Sequence, residues 1–267
     1  TGVKTIFTDP AIAEKLAEHG MMFSSANSIN WGRLVPQIVY YVSAYCDLLA
    51  AGKIQMGDAI NVAVPTGNFG NILAAYYARK MGLPIAKLIC ASNRNRVLTD
   101  FIKTGTYDRN REFYTTTSPS MDILISSNLE RLLYDLCGRD DAEIRRLMGE
   151  LSETGKYTVP DDVKTALQSL FVGGCCDDEQ AAQTIADTFH KHGYLCDTHT
   201  AVAVHVYEEY RRETGDQTPT VIASTANPYK FSASVLEALD GGCADMDEFD
   251  KVEKLHAETN AEVPAPL

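Results

Sequence analysis

The sequence predicts an α/β fold with a doubly wound, mainly parallel sheet and a helical insertion. Three observations carry that expectation. Apolar strand-like runs alternate with helical patterns from about residue 59 to 103, the strand signal is lost between 121 and 192, and the alternation resumes between 200 and 239. Strands that alternate with helices pair in parallel, and such sheets bind ligands at the carboxyl ends of their strands.

Each element has a local reason. Asp9-Pro10 caps and starts a short helix that Gly20 stops. From Arg33 to Ala51 the apolar stripe has helical period, with Pro36 near its first turn and Gly52 placed to end it. A strand follows from Ala59 to Pro65, then a glycine loop and a helix to Met81, a strand from Ile85 to Ala91 and a helix from Arg94 to Lys103. Between Met121 and His192 four helical patterns are separated by Gly138, by Gly155 with Pro160, and by Gly173-Gly174. Acidic pairs at 140–141, 161–162 and 177–178 suit helix N-termini there. A helix from Thr200 to Thr214, a strand from Thr220 to Ser224 and a helix from Phe231 to Leu239 return to the α/β pattern. The expected organisation is therefore an α/β core over 1–117, a helical insertion over 118–193, a return to the core over 194–240, and a charged helical tail over 241–267. Residues 262–267 should be loose.

Composition narrows the function. With 267 residues, 45% of them hydrophobic, the chain can bury a substantial core. A formal net charge of −12 argues against nucleic acid or an anionic membrane as the main partner. No apolar run approaches the roughly 18 residues of a spanning helix. The opening Thr1-Gly-Val-Lys-Thr-Ile-Phe7 reads as neither signal nor transit peptide and lacks an initiator Met, so the chain reads as part of a longer protein. Seven scattered cysteines without a C-x-x-C pair fit a reducing, cytoplasmic setting. The six histidines form no ligand cluster, so no metal is expected, and His190 and His192 read as surface residues near a helix end.

The most informative stretch is Val62-Ala-Val-Pro-Thr-Gly-Asn-Phe-Gly-Asn71, a strand that turns through two glycines into a helix. Gly67 and Gly70 allow a sharp turn and close backbone approach, and the first helical amides and the helix dipole favour an anion. An ordinary strand-to-helix turn also needs glycine, and the P-loop and dinucleotide spacings are both absent, so the loop alone leaves the two readings open. Asn27, Asn30 and Arg33 precede and enter a helix, where a guanidinium fork could clamp a phosphate. Taken alone they read as caps and a solvated cation. Ser224-Thr-Ala-Asn-Pro-Tyr-Lys-Phe231 puts hydroxyls just past a buried strand, and in isolation reads as a capping turn. Ser118 to Arg131 is polar without catalytic spacing.

Five segments in order resemble threonine synthase, a pyridoxal-phosphate enzyme of the fold type II (tryptophan-synthase-β) group. They are Asn27-Ser-Ile-Asn-Trp-Gly-Arg33, Gly67-Asn-Phe-Gly-Asn71, Ser120-Met-Asp-Ile-Leu with Ser127-Asn-Leu-Glu-Arg131, Asp197-Thr-His-Thr-Ala-Val202, and Ser224 to Phe231. The resemblance extends to about Ala238. It implies a lyase of threonine biosynthesis that converts O-phosphohomoserine and water to threonine and phosphate. By that resemblance Gly67, Asn68, Phe69, Gly70 and Asn71 cradle the cofactor phosphate. Thr225, with Ser224 beside it, meets the pyridine nitrogen, where a neutral hydroxyl suits an uncharged ring. Asn27 and Arg33 hold the substrate, Arg33 at its phosphate, with Asn30 a weaker member.

Two departures stand out. The family's cofactor-bonding lysine lies in a Phe-Lys-Asp context that none of this chain's lysines has. No catalytic residue is therefore assigned here, the lysine is expected upstream, and the chain alone is expected to be inactive. Lys230 matches the ordinary lysine of the family's Pro-x-Lys-Phe turn. Asn227-Pro stands where relatives often carry His-Pro. The alternatives are another fold type II lyase such as threonine dehydratase, whose substrate has no phosphate to clamp, or a non-catalytic phosphate-binding module.

Overall fold

The structure is a computed structural model that describes residues 6–7, 9–24 and 27–265. The readings that involve residues 1–5, 8, 25, 26, 266 and 267 lie outside the described residues. A four-stranded, all-parallel sheet of β1 (Ile60–Pro65), β2 (Ile85–Ser92), β5 (Phe171–Cys175) and β6 (Thr220–Ile222) has the order β5-β2-β1-β6. The α/β class and the parallel sheet are as the alternation implies. The central strands are buried on both faces. Val62 and Val64 of β1 enter one core and Ala63 the other; Leu88 and Cys90 of β2 enter the first, Ile89 and Ala91 the second. This is why Val62–Pro65 and Leu88–Ala91 read as continuous apolar runs.

The first core is closed by α3 (Ile38–Ala50), α4 (Gly70–Lys80), α5 (Val97–Thr104), α6 (Leu129–Leu136), α7 (Asp141–Thr154) and α8 (Asp161–Leu170). The second is closed by α9 (Asp178–His192), α10 (Thr198–Thr214), α11 (Ser232–Leu239) and α12 (Glu248–Thr259). At the N-terminal end α1 (Pro10–Glu18) is capped by Asp9, whose carboxylate accepts from Ala11 N.

Three expectations need correction. The helix read over 33–51 is broken into α2 (Trp31–Leu34), a 3-10 turn (Val35–Gln37) and α3, because Pro36 cannot donate the hydrogen bond a continuous helix would need. The segment 118–193 is not purely helical. It supplies β5, which pairs with β2, and β4 (Lys156–Thr158), which pairs antiparallel with β3 (Thr106–Asp108). Its Leu132, Leu147 and Leu167 are fully buried in the same core as β1, so it is continuous with the sheet's core rather than set apart. The end expected to be loose, 262–267, is held at Val263, which packs on the second core, and just before it the Tyr229 phenol donates to Ala261 O at 2.7 Å.

Candidate functional site

At the carboxyl end of β1 the chain passes through Thr66–Phe69 into α4. The residue that makes the turn is Phe69, held at φ 63° in the left-handed region, and neither glycine of the loop has positive φ. That conformation is costly for a side-chain-bearing residue. Burial of its ring at 1% exposure, 5.7 Å from the Phe171 ring on β5, offsets the cost. The glycines serve the close approach instead. A Cβ on Gly67 would lie 2.6 Å from Ser120 O, and one on Gly70 would lie 2.5 Å from Ser28 Cβ. No side chain caps α4, so its first-turn amides meet the cleft without an internal competitor.

The loop is braced by residues from the segment that showed no catalytic spacing. Ser126 Oγ donates to Gly67 O at 2.9 Å. Asn128, fully buried, donates from Nδ2 to Asn68 O at 2.9 Å and to Ser28 Oγ at 3.0 Å, and its backbone N–H also reaches Asn68 O. Arg131 donates to Asn128 Oδ1, to Ser28 O at 3.2 Å and to Ile29 O at 2.7 Å. Asn128 and Arg131 thus tie the Asn27–Arg33 segment to the glycine loop, although they are distant in sequence.

One cleft of about 490 Å³ gathers these elements. Gly67, Asn68, Phe69, Gly70 and Asn71 form one wall, Asn27 and Arg33 a second, and Thr225 with Lys230 a third. Among the described residues no aspartate or glutamate lines it, in a chain of net charge −12. An adjoining space of about 560 Å³ shares Arg33, Asn71 and Thr225. Asn30 is not among the lining residues of either. Its side chain accepts from Gly32 N at 2.9 Å and caps α2. Asn27 Oδ1 accepts from Ile29 N at 3.0 Å. Asn71 Oδ1 accepts from the Tyr41 phenol, whose pKa burial pushes up. Asn227 caps the 3-10 turn Pro228–Phe231 through Tyr229 N at 3.0 Å. Lys230, set aside as an ordinary turn residue, reaches the cleft with Nζ 5.4 Å from the centre of the Phe231 ring.

Sequence reasoning missed His199, which lines the cleft at 3% exposure. Its signal was the Asp-x-His spacing at a helix start, which reads equally well as an Asp cap. Asp197 does cap α10, accepting from His199 N at 2.8 Å and Thr200 N at 3.3 Å. Burial alone would raise its pKa, but hydrogen bonds from the His199 side chain, Thr200 and the His199 backbone outweigh burial and hold it below the usual carboxylate range. Among the described residues no group of three or more His, Cys, Asp or Glu could hold a metal ion, and no helix is long and apolar enough to cross a membrane.

Residues 200–264 match the family model "Threonine synthase, C-terminal". The chain is 46% identical over 241 residues to "Threonine synthase-like 1" of Homo sapiens, covering 90% of this chain and 32% of that protein. It is 40% identical over 236 residues to threonine synthase of Pseudomonas aeruginosa, covering 88% of this chain and 48% of that protein. The crystal structure of a PLP-bound threonine synthase from Brucella melitensis superposes with a TM-score of 0.78 at 41% identity, covering 90% of this chain and 48% of that one. The chain thus spans about a third to a half of the length of these relatives, and it belongs to the threonine synthase family.

Proposed function

We propose that this chain carries the cofactor-phosphate and substrate-phosphate sites of a pyridoxal-phosphate lyase that converts O-phosphohomoserine and water to threonine and phosphate. The observation that carries the proposal is the convergence of the glycine loop, Arg33 with Asn27, and Thr225 on one cleft that no carboxylate lines. The loop and the uncapped start of α4 suit a phosphate monoester, because unpaired amides and the positive helix end stabilise a dianion. Thr225 presents a neutral hydroxyl beyond β6 for the ring nitrogen, and bound pyridoxal phosphate would supply the electron sink for carbanion chemistry next to the substrate nitrogen.

This chain's own residues bind and orient. Arg33, with Asn27, holds the substrate phosphate and keeps it ionised as it departs, and a planar guanidinium can meet two of its oxygens at once. Lys230 adds a second positive charge to the cleft, and the absence of lining acids leaves both cations unopposed there. The buried floor of β1 and Phe69 keeps water from the loop's underside. A threonine dehydratase would have no use for Arg33 in this role. We also place the protein in the cytoplasm, because the cysteines are all free and Cys90, Cys176, Cys196 and Cys243 are buried as small apolar groups.

The test incubates the intact gene product, supplied with pyridoxal phosphate, with O-phosphohomoserine and separately with threonine. Release of phosphate with matching threonine supports the proposal. A 2-oxo acid formed from threonine without phosphate chemistry would assign the protein to the dehydratases, and no turnover of either would leave only a phosphate-binding module.

A further inference from the structure

Asp197 and His199 form a buried titratable pair at the cleft for which phosphate binding alone gives no task. We propose that they are positioning residues for the glycine loop and act on it through the backbone of Ser120. This rests on the reading of that loop as an anion cradle.

The argument starts with the tautomer. Asp197 is fully buried, and as a carboxylate it only accepts. Its Oδ1 lies 3.2 Å from His199 Nδ1, and its Oδ2 accepts from the Thr200 hydroxyl. Nδ1 therefore carries the proton, and Nε2 presents a lone pair. That lone pair accepts the Ser120 N–H at 3.3 Å. Ser120 lies in the short 3-10 turn Pro119–Met121, in which Pro119 has no N–H, Met121 N donates to Ser118 O at 3.0 Å, and Ser118 supplies no side-chain cap. The imidazole is thus the acceptor for the turn's remaining amide, while Asn93 Nδ2 holds Ser118 at the turn's start. Capping α10 needs only the Asp197 carboxylate, so a buried ring held against Phe231 at 4.9 Å between centres is surplus to capping.

The turn in its turn fixes the loop. Ser120 O and Met121 Cα pack so tightly on Gly67 that a Cβ there would lie 2.6 Å and 3.1 Å from them. Gly67 O is held from Ser126 at 2.9 Å. The glycine loop is clamped between the His199-held turn and Ser126, and a shift of Ser120 displaces the amides that would face an anion. A pair that holds the tautomer on one side and a backbone group on the other is a relay of position, with no proton transferred.

The experiment uses the intact gene product, three single variants and the double variant of His199→Asn with Asp197→Asn. His199→Asn can still donate toward Asp197 but loses the acceptor for Ser120; His199→Gln carries an acceptor out to the position of Nε2. Asp197→Asn can keep Oδ1 on the two helix amides and on Nδ1 while its Nδ2 meets the Thr200 hydroxyl, so it removes the charge and leaves the tautomer in place. One readout is amide hydrogen exchange of the peptides spanning 64–73 and 118–124, with 85–92 as the core reference. The other is the dissociation constant for pyridoxal phosphate by absorbance titration. His199→Asn should speed exchange in both site peptides and weaken the cofactor about tenfold, the loss of roughly one buried hydrogen bond, whereas Asp197→Asn, which keeps an acceptor on Nδ1, should stay within about threefold of wild type. The double variant should add little to either. His199→Gln should stay within about threefold of wild type. Equal damage from Gln and Asn, or unchanged exchange at 64–73 in His199→Asn, overturns the relay. Should His199→Asn also loosen the 85–92 core, the Gln comparison decides the matter. If the wild type takes up no pyridoxal phosphate, the reading of the cradle fails, and the exchange data still judge the relay.

Discussion

Asn128→Ala removes, besides a long contact to Ser127 Oγ at 3.5 Å, three short side-chain hydrogen bonds from a residue with no solvent exposure: those to Asn68 O at 2.9 Å and Ser28 Oγ at 3.0 Å, and the one accepted from Arg131. At about 0.5–1.5 kcal/mol each, the loss would reach roughly 1.5–4.5 kcal/mol. Two of the abandoned groups keep other partners. Asn68 O retains the Asn128 backbone N–H at 3.2 Å, and Arg131 retains Ser28 O and Ile29 O. That places the expected cost at about 2–3 kcal/mol, once the small cavity left by the amide is included. In urea this corresponds to a midpoint lower by about 1 M. Trp31, the chain's one tryptophan, sits in the segment Arg131 braces, edge-on to Tyr77 at 5.6 Å between ring centres. Its fluorescence should therefore change at lower urea than the far-ultraviolet circular dichroism in the variant. Asn128→Asp keeps the volume and the acceptor for Arg131 but loses both donations, which separates donor loss from packing. A midpoint shift under about 0.3 M for Asn128→Ala would refute the claim that this residue ties the two phosphate-facing segments together.

Three further outcomes are expected. Arg33→Ala should lower kcat/KM for O-phosphohomoserine about ten- to hundredfold while pyridoxal phosphate is retained; loss of the cofactor band with normal substrate use would exchange the two phosphate assignments. Lys230→Ala should leave covalently held cofactor in place in the intact gene product, measured by borohydride fixation and peptide mass, and disappearance of the fixed adduct would make Lys230 the attachment point. Because the Asp197 carboxyl is held below its ordinary value, its ionised form adds stability above about pH 4, and that contribution is lost as the pH falls through the lowered value. Acid unfolding of Asp197→Asn, followed by circular dichroism, should therefore show a shallower decline in stability below pH 4 than the wild type; an unchanged acid limb would contradict the assignment.

The central strands, the turn after Pro65 and most helices were legible because their signals are local. A strand buried on both faces must be largely apolar, as Val62–Pro65 of β1 and Leu88–Ala91 of β2 are, and a helix start advertises its cap, as Asp9, Asp140 and Asp177 do. The resemblance of five short segments was equally a property of the sequence. What the sequence could not show depended on groups brought from afar. In β5 the run Phe-Val-Gly-Gly-Cys reads as a linker, yet both glycines are there for packing: a Cβ on Gly173 would meet Thr99 Cα at 2.9 Å, and one on Gly174 would meet Val206 Cγ1 at 2.4 Å. Its strand character exists only once α5 and α10 press on the sheet's two faces. Phe69 adopts the conformation expected of a glycine because its ring has a buried place beside Phe171, about a hundred residues away. Asn128, Arg131 and His199 drew no assigned role for the same reason. A hydrogen bond across such separations leaves no periodicity or spacing in the chain, so the tertiary fold alone decides which polar groups meet.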